Sequence, residues 1–204
     1  MKVKLILVWV AFMVLSGCSN VTIKSDGIEK YSNDSSASQE VVRIDKFTGG
    51  NFSVLPKNKR IVVDFSKKID GDTARFKLNG YEFKTRFLLI DTPETVKRGV
   101  EPQPFGKEAS ERTNELLLHA ATIEIEFDSG DKTDKYQRAL CYVYVDNVLI
   151  QNILVSEGLA RVAYVNSPND SKLAEIEGYE LIAKDEKLGI WSIANYVTER
   201  GFQE

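Results

Sequence analysis

The chain has 204 residues, with 27 lysines and arginines against 30 aspartates and glutamates, a net charge of −3, one histidine and two cysteines. An acidic balance excludes a protein that follows nucleic-acid phosphates by general basicity, so any such affinity has to be local. One histidine gives no support to a zinc centre or a histidine-based triad, and two cysteines exclude a disulfide-stapled scaffold.

The chain opens with Lys2 and Lys4 before an apolar run from Leu5 to Leu15, the pattern of an export signal. That run falls short of the roughly 20 residues that a spanning helix needs. Leu15-Ser16-Gly17-Cys18 resembles a bacterial lipobox, which implies cleavage before Cys18, lipidation of Cys18 and a membrane anchor on the extracytoplasmic face. Residues 1–17 are then the expected signal peptide. Residues 18–58, rich in Ser, Asn, Asp and Lys, are the expected solvated tether, with an edge strand over Val41–Val54 as the alternative. Residues 59–204 make one domain of ordinary size, itself acidic, with 20 basic and 25 acidic residues.

Within that domain Arg60–Phe65 and Thr73–Leu78 read as strands, and Asn79-Gly80 is a strong two-residue hairpin turn into a third. Tyr81, Phe83, Thr85, Phe87 and Leu89 share one face of that third strand, and Arg86 projects to the other with Glu82 and Lys84. A proline-rich loop over residues 91–105 leads to a helix from about Gly106 to Ala121, with His119 near its end at the surface. Ile123, Ile125 and Phe127 alternate with Glu124 and Glu126 as in a half-buried strand. A fifth strand covers Arg138–Val145, with Cys141 on its apolar face. Leu149–Gly158 is a short helix stopped by Gly158. Ser171 is expected to cap a last helix to about Leu188, with Leu173, Ile176, Tyr179, Leu181 and Ile182 close together on its wheel. Trp191 then packs as a lid on the core. Five short strands interleaved with three helices predict an α+β fold, a small closed five-stranded β-barrel of the OB type. A meander sheet with helices on one face is the alternative.

Chemistry concentrates at three places. Asp70-Gly71-Asp72-Thr73 is by itself only a turn motif. Asp91, however, ends an apolar strand, and Thr92, held out of helical geometry by Pro93, offers a free carbonyl. Two such carboxylates, a carbonyl and waters suit Ca²⁺, which takes six to eight oxygen ligands. Massing Asp70, Asp72, Asp91 and Glu94 without a cation is unfavourable because like charges repel. Glu94, three residues after Asp91, is placed to orient or deprotonate a water. Arg86 either pairs with Glu82 or Glu124, or joins Arg138 in gripping phosphate oxygens through paired hydrogen bonds. Lys135, Tyr136 and Tyr164 are placed to flank a nucleotide, with core packing the alternative for the tyrosines.

Ile69-Asp-Gly-Asp-Thr73, Arg86-Phe-Leu-Leu-Ile-Asp-Thr-Pro-Glu-Thr95, Gly99-Val-Glu101, Asp134-Lys-Tyr-Gln-Arg138, Gly158-Leu-Ala-Arg-Val-Ala-Tyr164 and Lys187-Leu-Gly-Ile-Trp191 together resemble the staphylococcal nuclease (thermonuclease) family. The resemblance implies an OB fold with three helices and a Ca²⁺-dependent phosphodiesterase acting on DNA and RNA, releasing 3′-phosphorylated products. By the same resemblance Asp72, Asp91 and the Thr92 carbonyl hold Ca²⁺. Glu94 is general base or water-orienter, and Arg86 and Arg138 stabilise the transition state. Lys135 and Tyr136 meet a substrate phosphate, and Tyr164 lies by the base. Asp70 has a weaker claim on the metal. Gln137 stands where the family has glycine, and Asn166 where it has a tyrosine. The expected protein is a monomeric, membrane-anchored nuclease; the competing expectation is a non-catalytic nucleic-acid- or protein-binding module.

Overall fold

The structure, a computed structural model, describes residues 44–95 and 102–203. All lie in the compact unit Glu40–Glu204, so the expected signal peptide and Cys18 fall outside the described residues. Among the described residues, no helix is long and apolar enough to cross a membrane.

The chain runs through β1 (Arg60–Val62), β2 (Asp64–Lys68), β3 (Thr73–Leu78), β4 (Tyr81–Phe87) and β5 (Ile90–Asp91). It continues through α1 (Gly106–His119), β6 (Ile123–Glu126), β7 (Ala139–Val145), β8 (Val148–Leu149), α2 (Ile150–Ser156) and β9 (Arg161–Val162). It ends with α3 (Leu173–Asp185), β10 (Val197–Thr198) and β11 (Gly201–Phe202). The β3–β4 hairpin forms as the Asn-Gly turn dictates: Asn79 and Gly80 have φ of 51° and 80°, the paired left-handed residues of a tight hairpin turn. That turn sets the register, with Leu78 opposite Tyr81 and Thr73 opposite Arg86. Leu89, expected to continue the face of β4, instead takes φ 65°. The strand breaks there, and Ile90–Asp91 restarts as β5 against β9.

The main sheet follows the order β1-β6-β7-β4-β3-β2. The expectation of a closed barrel is corrected here. The path starts on β1 and finishes on β2, two successive pieces of one bent segment parted at Val63, with no ladder between them. The sheet curls until its ends meet in the covalent chain rather than through hydrogen bonds. Its interior is filled by Ile61, Phe76, Phe87, Ile125, Cys141 and Val143, all nearly inaccessible to solvent.

Residues 44–58, expected as solvated tether, pack against this core. They form two short 3₁₀ turns rather than an edge strand, and Phe47, Phe52 and Leu55 are buried. Phe47 and Phe52 meet Phe83 edge to face at centroid distances of 5.4 and 5.5 Å, adding roughly 0.5–1.5 kcal/mol per pair beyond area burial. The Lys132 ammonium donates to the carbonyls of Phe52, Ser53 and Leu55, pinning this segment to the loop before β7.

Three details of the carboxy-terminal half differ from expectation. Ser171 does not cap α3; its N–H donates to Asp128 Oδ2 at 2.9 Å, and Lys172 precedes the helix. The buried face of α3 is Ile176, Glu180 and Ala183, leaving Leu181 and Ile182 exposed. The reason is Glu180, whose carboxylate accepts the Val162 N–H at 2.6 Å and turns the helix toward β9. Ile190, not Trp191, seals the core; Trp191 is half-buried under the Lys184 ammonium, 4.5 Å from its ring.

Candidate active site

The turn before β3 is held from below. Thr113 of α1 donates its hydroxyl to the Gly71 carbonyl at 2.6 Å. A Cβ on Gly71 would lie 2.7–2.9 Å from Thr92 and Ala109, so only glycine fits there. This packing brings Asp72 against the Asp91–Thr92 segment: Asp72 Oδ2 accepts the Thr92 N–H at 3.1 Å, and Asp72 Oδ1 accepts the Thr73 hydroxyl. Arg86 projects from β4 between the two acids. One guanidinium nitrogen lies 3.1 Å from Asp72 Oδ2 and the other 3.5 Å from Asp91 Oδ1. The first also donates to the Phe87 and Ile90 carbonyls. Arg86 therefore pairs with neither Glu82 nor Glu124; those bond Arg75 and Arg60.

β4 runs parallel to β7, with Arg86 opposite Leu140 and Thr85 opposite Ala139. Arg138, just before β7, is thereby carried to the same side. Its position depends on Asp134, whose Oδ2 accepts Arg138 Nε at 2.6 Å while Oδ1 accepts the N–H groups of Tyr136 and Arg138. Burial opposes ionisation of Asp134, but these donors together outweigh it and hold the carboxyl below its usual value. Both tyrosines are outside the core, Tyr136 68 % and Tyr164 63 % exposed. Each lies by a guanidinium: Tyr164 5.1 Å from Arg86, Tyr136 5.5 Å from Arg138 and 5.1 Å from the Lys135 ammonium. Gln137 has φ 60°, a left-handed conformation that glycine would accept without strain.

Every residue that the sequence assigned to catalysis, metal or substrate within residues 44–203 lines one cleft of about 520 Å³: Asp70, Asp72, Arg86, Asp91, Thr92, Glu94, Lys135, Tyr136, Arg138 and Tyr164. Glu94 is exposed at its rim, accepting the Thr95 N–H at 3.2 Å through its side chain. Its own N–H donates to Gln103 Oε1 at 2.8 Å. Burial first, and then the charge of Asp72, push Asp70 up to about 7. Burial and Asp72 also raise Asp91, although Arg161 and Arg86 pull it back. Carboxylates so destabilised, with oxygen donors alone around them, fit a hard cation better than any soft metal. Among the described residues, no three acid, His or Cys side chains form a complete cage, so backbone and water would have to finish the shell.

Three contributors were not singled out from the sequence. Arg161, 8 % exposed in β9, places Nε and a terminal nitrogen 3.0 Å from Asp91 Oδ2. Its signals were a charge inside the apolar stretch Leu159–Val165 and a place in the Gly158–Tyr164 motif, where it carried no assigned role. Asp134 was visible as part of a motif but carried no assigned role. Asn169 braces the loop before β7, accepting the Gly130 N–H and donating to the Asp131 carbonyl, contacts that span nearly 40 positions and leave no local trace.

Comparison with known proteins agrees with this geometry. The sequence model of the family described as staphylococcal nuclease homologue matches residues 84–193. Endonuclease YncB of Bacillus subtilis (strain 168) is 44 % identical over 178 residues, covering 87 % of this chain and 83 % of the relative. The SPbeta prophage-derived endonuclease YokF of the same organism is 49 % identical over 140 residues, 69 % of this chain but 47 % of the longer relative. The thermonuclease of Staphylococcus intermedius is 38 % identical over 123 residues, 60 % of this chain and 71 % of the relative. With matching motifs, matching fold and relatives aligned over most of its length, the chain belongs to the staphylococcal nuclease family.

Proposed function

We propose that the protein is a Ca²⁺-dependent nuclease that hydrolyses phosphodiester bonds of DNA and RNA and leaves 3′-phosphates. In this reading it works as a monomer outside the cytoplasm, held to the membrane by lipid on Cys18. The nuclease activity in this reading rests on a single observation: Asp72, Asp91, Glu94, Arg86 and Arg138, from four separate segments, open on one cleft. The relatives named endonuclease and thermonuclease support it.

Asp72 and Asp91 with the Thr92 carbonyl would hold the ion, which supplies charge to polarise the scissile phosphate and a bound water. Glu94 at the cleft rim takes the proton of the attacking water. The new oxygen–phosphorus bond forms opposite the 5′-oxygen, which leaves and takes a proton from solvent. Arg138 meets the negative charge that grows on the phosphoryl oxygens; losing one such contact typically costs about 3 kcal/mol of barrier. Arg86 adds to that charge stabilisation from between the two acids. Tyr136 and Tyr164 offer faces for bases, worth roughly 1–3 kcal/mol each, and Lys135 meets a neighbouring phosphate.

The test is cleavage of plasmid DNA and of RNA by the chain starting at Ser19, with Ca²⁺ and then with chelator. Glu94→Gln and Arg138→Ala should each abolish cutting while the circular dichroism spectrum stays unchanged. Cutting that survives both substitutions, or that ignores the chelator, would overturn the reading.

A further inference from the structure

Beyond residue 193, where the family match ends, the chain makes a small structure of its own. Val197 pairs with Phe202 and Thr198 with Gly201 in the β10–β11 hairpin, and the Gln203 N–H donates to the Tyr196 carbonyl at 2.8 Å. The Tyr196 and Phe202 rings pack at 5.4 Å. This unit reaches, at two points, groups that bond the Asp91 and Glu94 that line the cleft.

The first is Arg161. Its Nε and one terminal nitrogen are spent on Asp91 Oδ2. The other terminal nitrogen donates to the Thr198 and Glu199 carbonyls, at 3.3 and 3.5 Å, and the Phe202 ring lies 5.7 Å from its guanidinium carbon. A planar guanidinium tied at both ends has one orientation open to it, so the hairpin fixes the direction from which Asp91 is held. The second point is the Tyr196 hydroxyl, which donates to the Pro104 carbonyl at 2.7 Å. The adjoining Gln103 bonds Glu94 twice: Gln103 N–H to the Glu94 carbonyl at 3.0 Å, and Glu94 N–H to Gln103 Oε1 at 2.8 Å.

We propose that Tyr196 and the β10–β11 hairpin are a positioning clamp of the cleft, which sets Asp91 through Arg161 and Glu94 through Pro104 and Gln103. The proposal rests on the nuclease reading for its catalytic consequence but not for its mechanical one. Neither Tyr196 nor the hairpin lines the cleft. Their effect is to hold two acids of one short loop, three residues apart, from two sides, where a small misplacement costs rate far out of proportion to its size.

The experiment compares the wild type with a chain ending after Asn195 and with full-length Tyr196→Phe. Amide hydrogen exchange is read in metal-free protein, and kcat and KM are read on DNA with Ca²⁺. In the shortened chain, exchange at Thr92, Glu94 and Gln103 should rise at least tenfold, while the β3–β4 amides stay unchanged. Tyr196→Phe, which removes one oxygen, should speed Glu94 and Gln103 but not Thr92. Both variants should lose kcat at least fivefold with KM within twofold. Wild-type exchange at these amides in both variants would overturn the clamp, as would altered exchange with wild-type kcat. Should the shortened chain fail to fold, Tyr196→Phe decides alone. Should the wild type itself not cut, the nuclease reading fails while the exchange comparison still decides whether the clamp exists.

Discussion

Asp134 grips Arg138 by both its side chain and its backbone: one carboxylate oxygen accepts Nε at 2.6 Å and the other accepts the Arg138 N–H at 2.9 Å. The acid thereby folds the loop and aims the guanidinium with one group. Asp134→Asn keeps the shape but removes the charge. It should lower kcat by roughly ten- to a hundredfold, the worth of one charge-assisted hydrogen bond, and steady-state kinetics beside Arg138→Ala checks this. Because Arg138 is the residue acted through, the double variant should be no worse than Arg138→Ala alone.

The two arginines should fail differently. Arg86 is buried against Asp72 and Asp91, so Arg86→Ala leaves two acids without their shared partner and should destabilise the fold by about 3–5 kcal/mol. Arg138 has one acid, which retains two backbone donors. Arg138→Ala should therefore lose activity with little change in stability. Denaturant midpoints of the two variants separate the cases.

Gln137 occupies a left-handed position, with φ 60°. That conformation costs a residue with a Cβ roughly 1–2 kcal/mol, and glycine's extra freedom when unfolded returns roughly 0.4–1 kcal/mol of the gain. Gln137→Gly should stabilise the protein by about 0.5–1 kcal/mol, visible as an upward shift in Tm.

Asp128, almost fully buried, accepts the N–H groups of Ser171 and Ser129 and the Tyr142 hydroxyl. Burial opposes its charge, but these donors outweigh that and hold its carboxyl below the ordinary value. A depressed folded value means that its contribution is complete above the unfolded value, about 3.9, and disappears as pH falls through the lower folded one. Denaturant stability measured down to pH 2 should show this acid limb, and Asp128→Asn should flatten it.

If Asp72 and Asp91 hold Ca²⁺ as proposed, the ion should also stabilise the fold. At one hundred times its dissociation constant it should add about 2.7 kcal/mol, reversible with chelator. Thermal unfolding with and without Ca²⁺ measures this, and Asp91→Asn should abolish the difference.

The sequence made the hairpin at Asn79-Gly80 legible because two left-handed residues in a row are a local demand. The arginine and acid motifs were legible because each is a short run at a strand end. The bend at Val63 was not, since Arg60–Phe65 reads as one strand and only pairing to different partners divides it. Phe47, Phe52 and Leu55 were hidden among polar residues because 3₁₀ turns gather them without a period of 2 or 3.6. The helical wheel of α3 misled because it weighted Leu181 and Ile182 above Glu180, whose carboxylate is required by a backbone N–H of β9. Arg161 was missed for a similar reason: its partner Asp91 lies 70 residues away.

Lys132 fastens the segment around Phe52 to the loop that carries Asp134 and Arg138. Trimming that removed Phe47, Phe52 and Leu55 would strip three buried side chains and the carbonyls beneath that ammonium. A cut that leaves the domain whole must therefore fall upstream of Ile44, a limit set by packing rather than by motif boundaries.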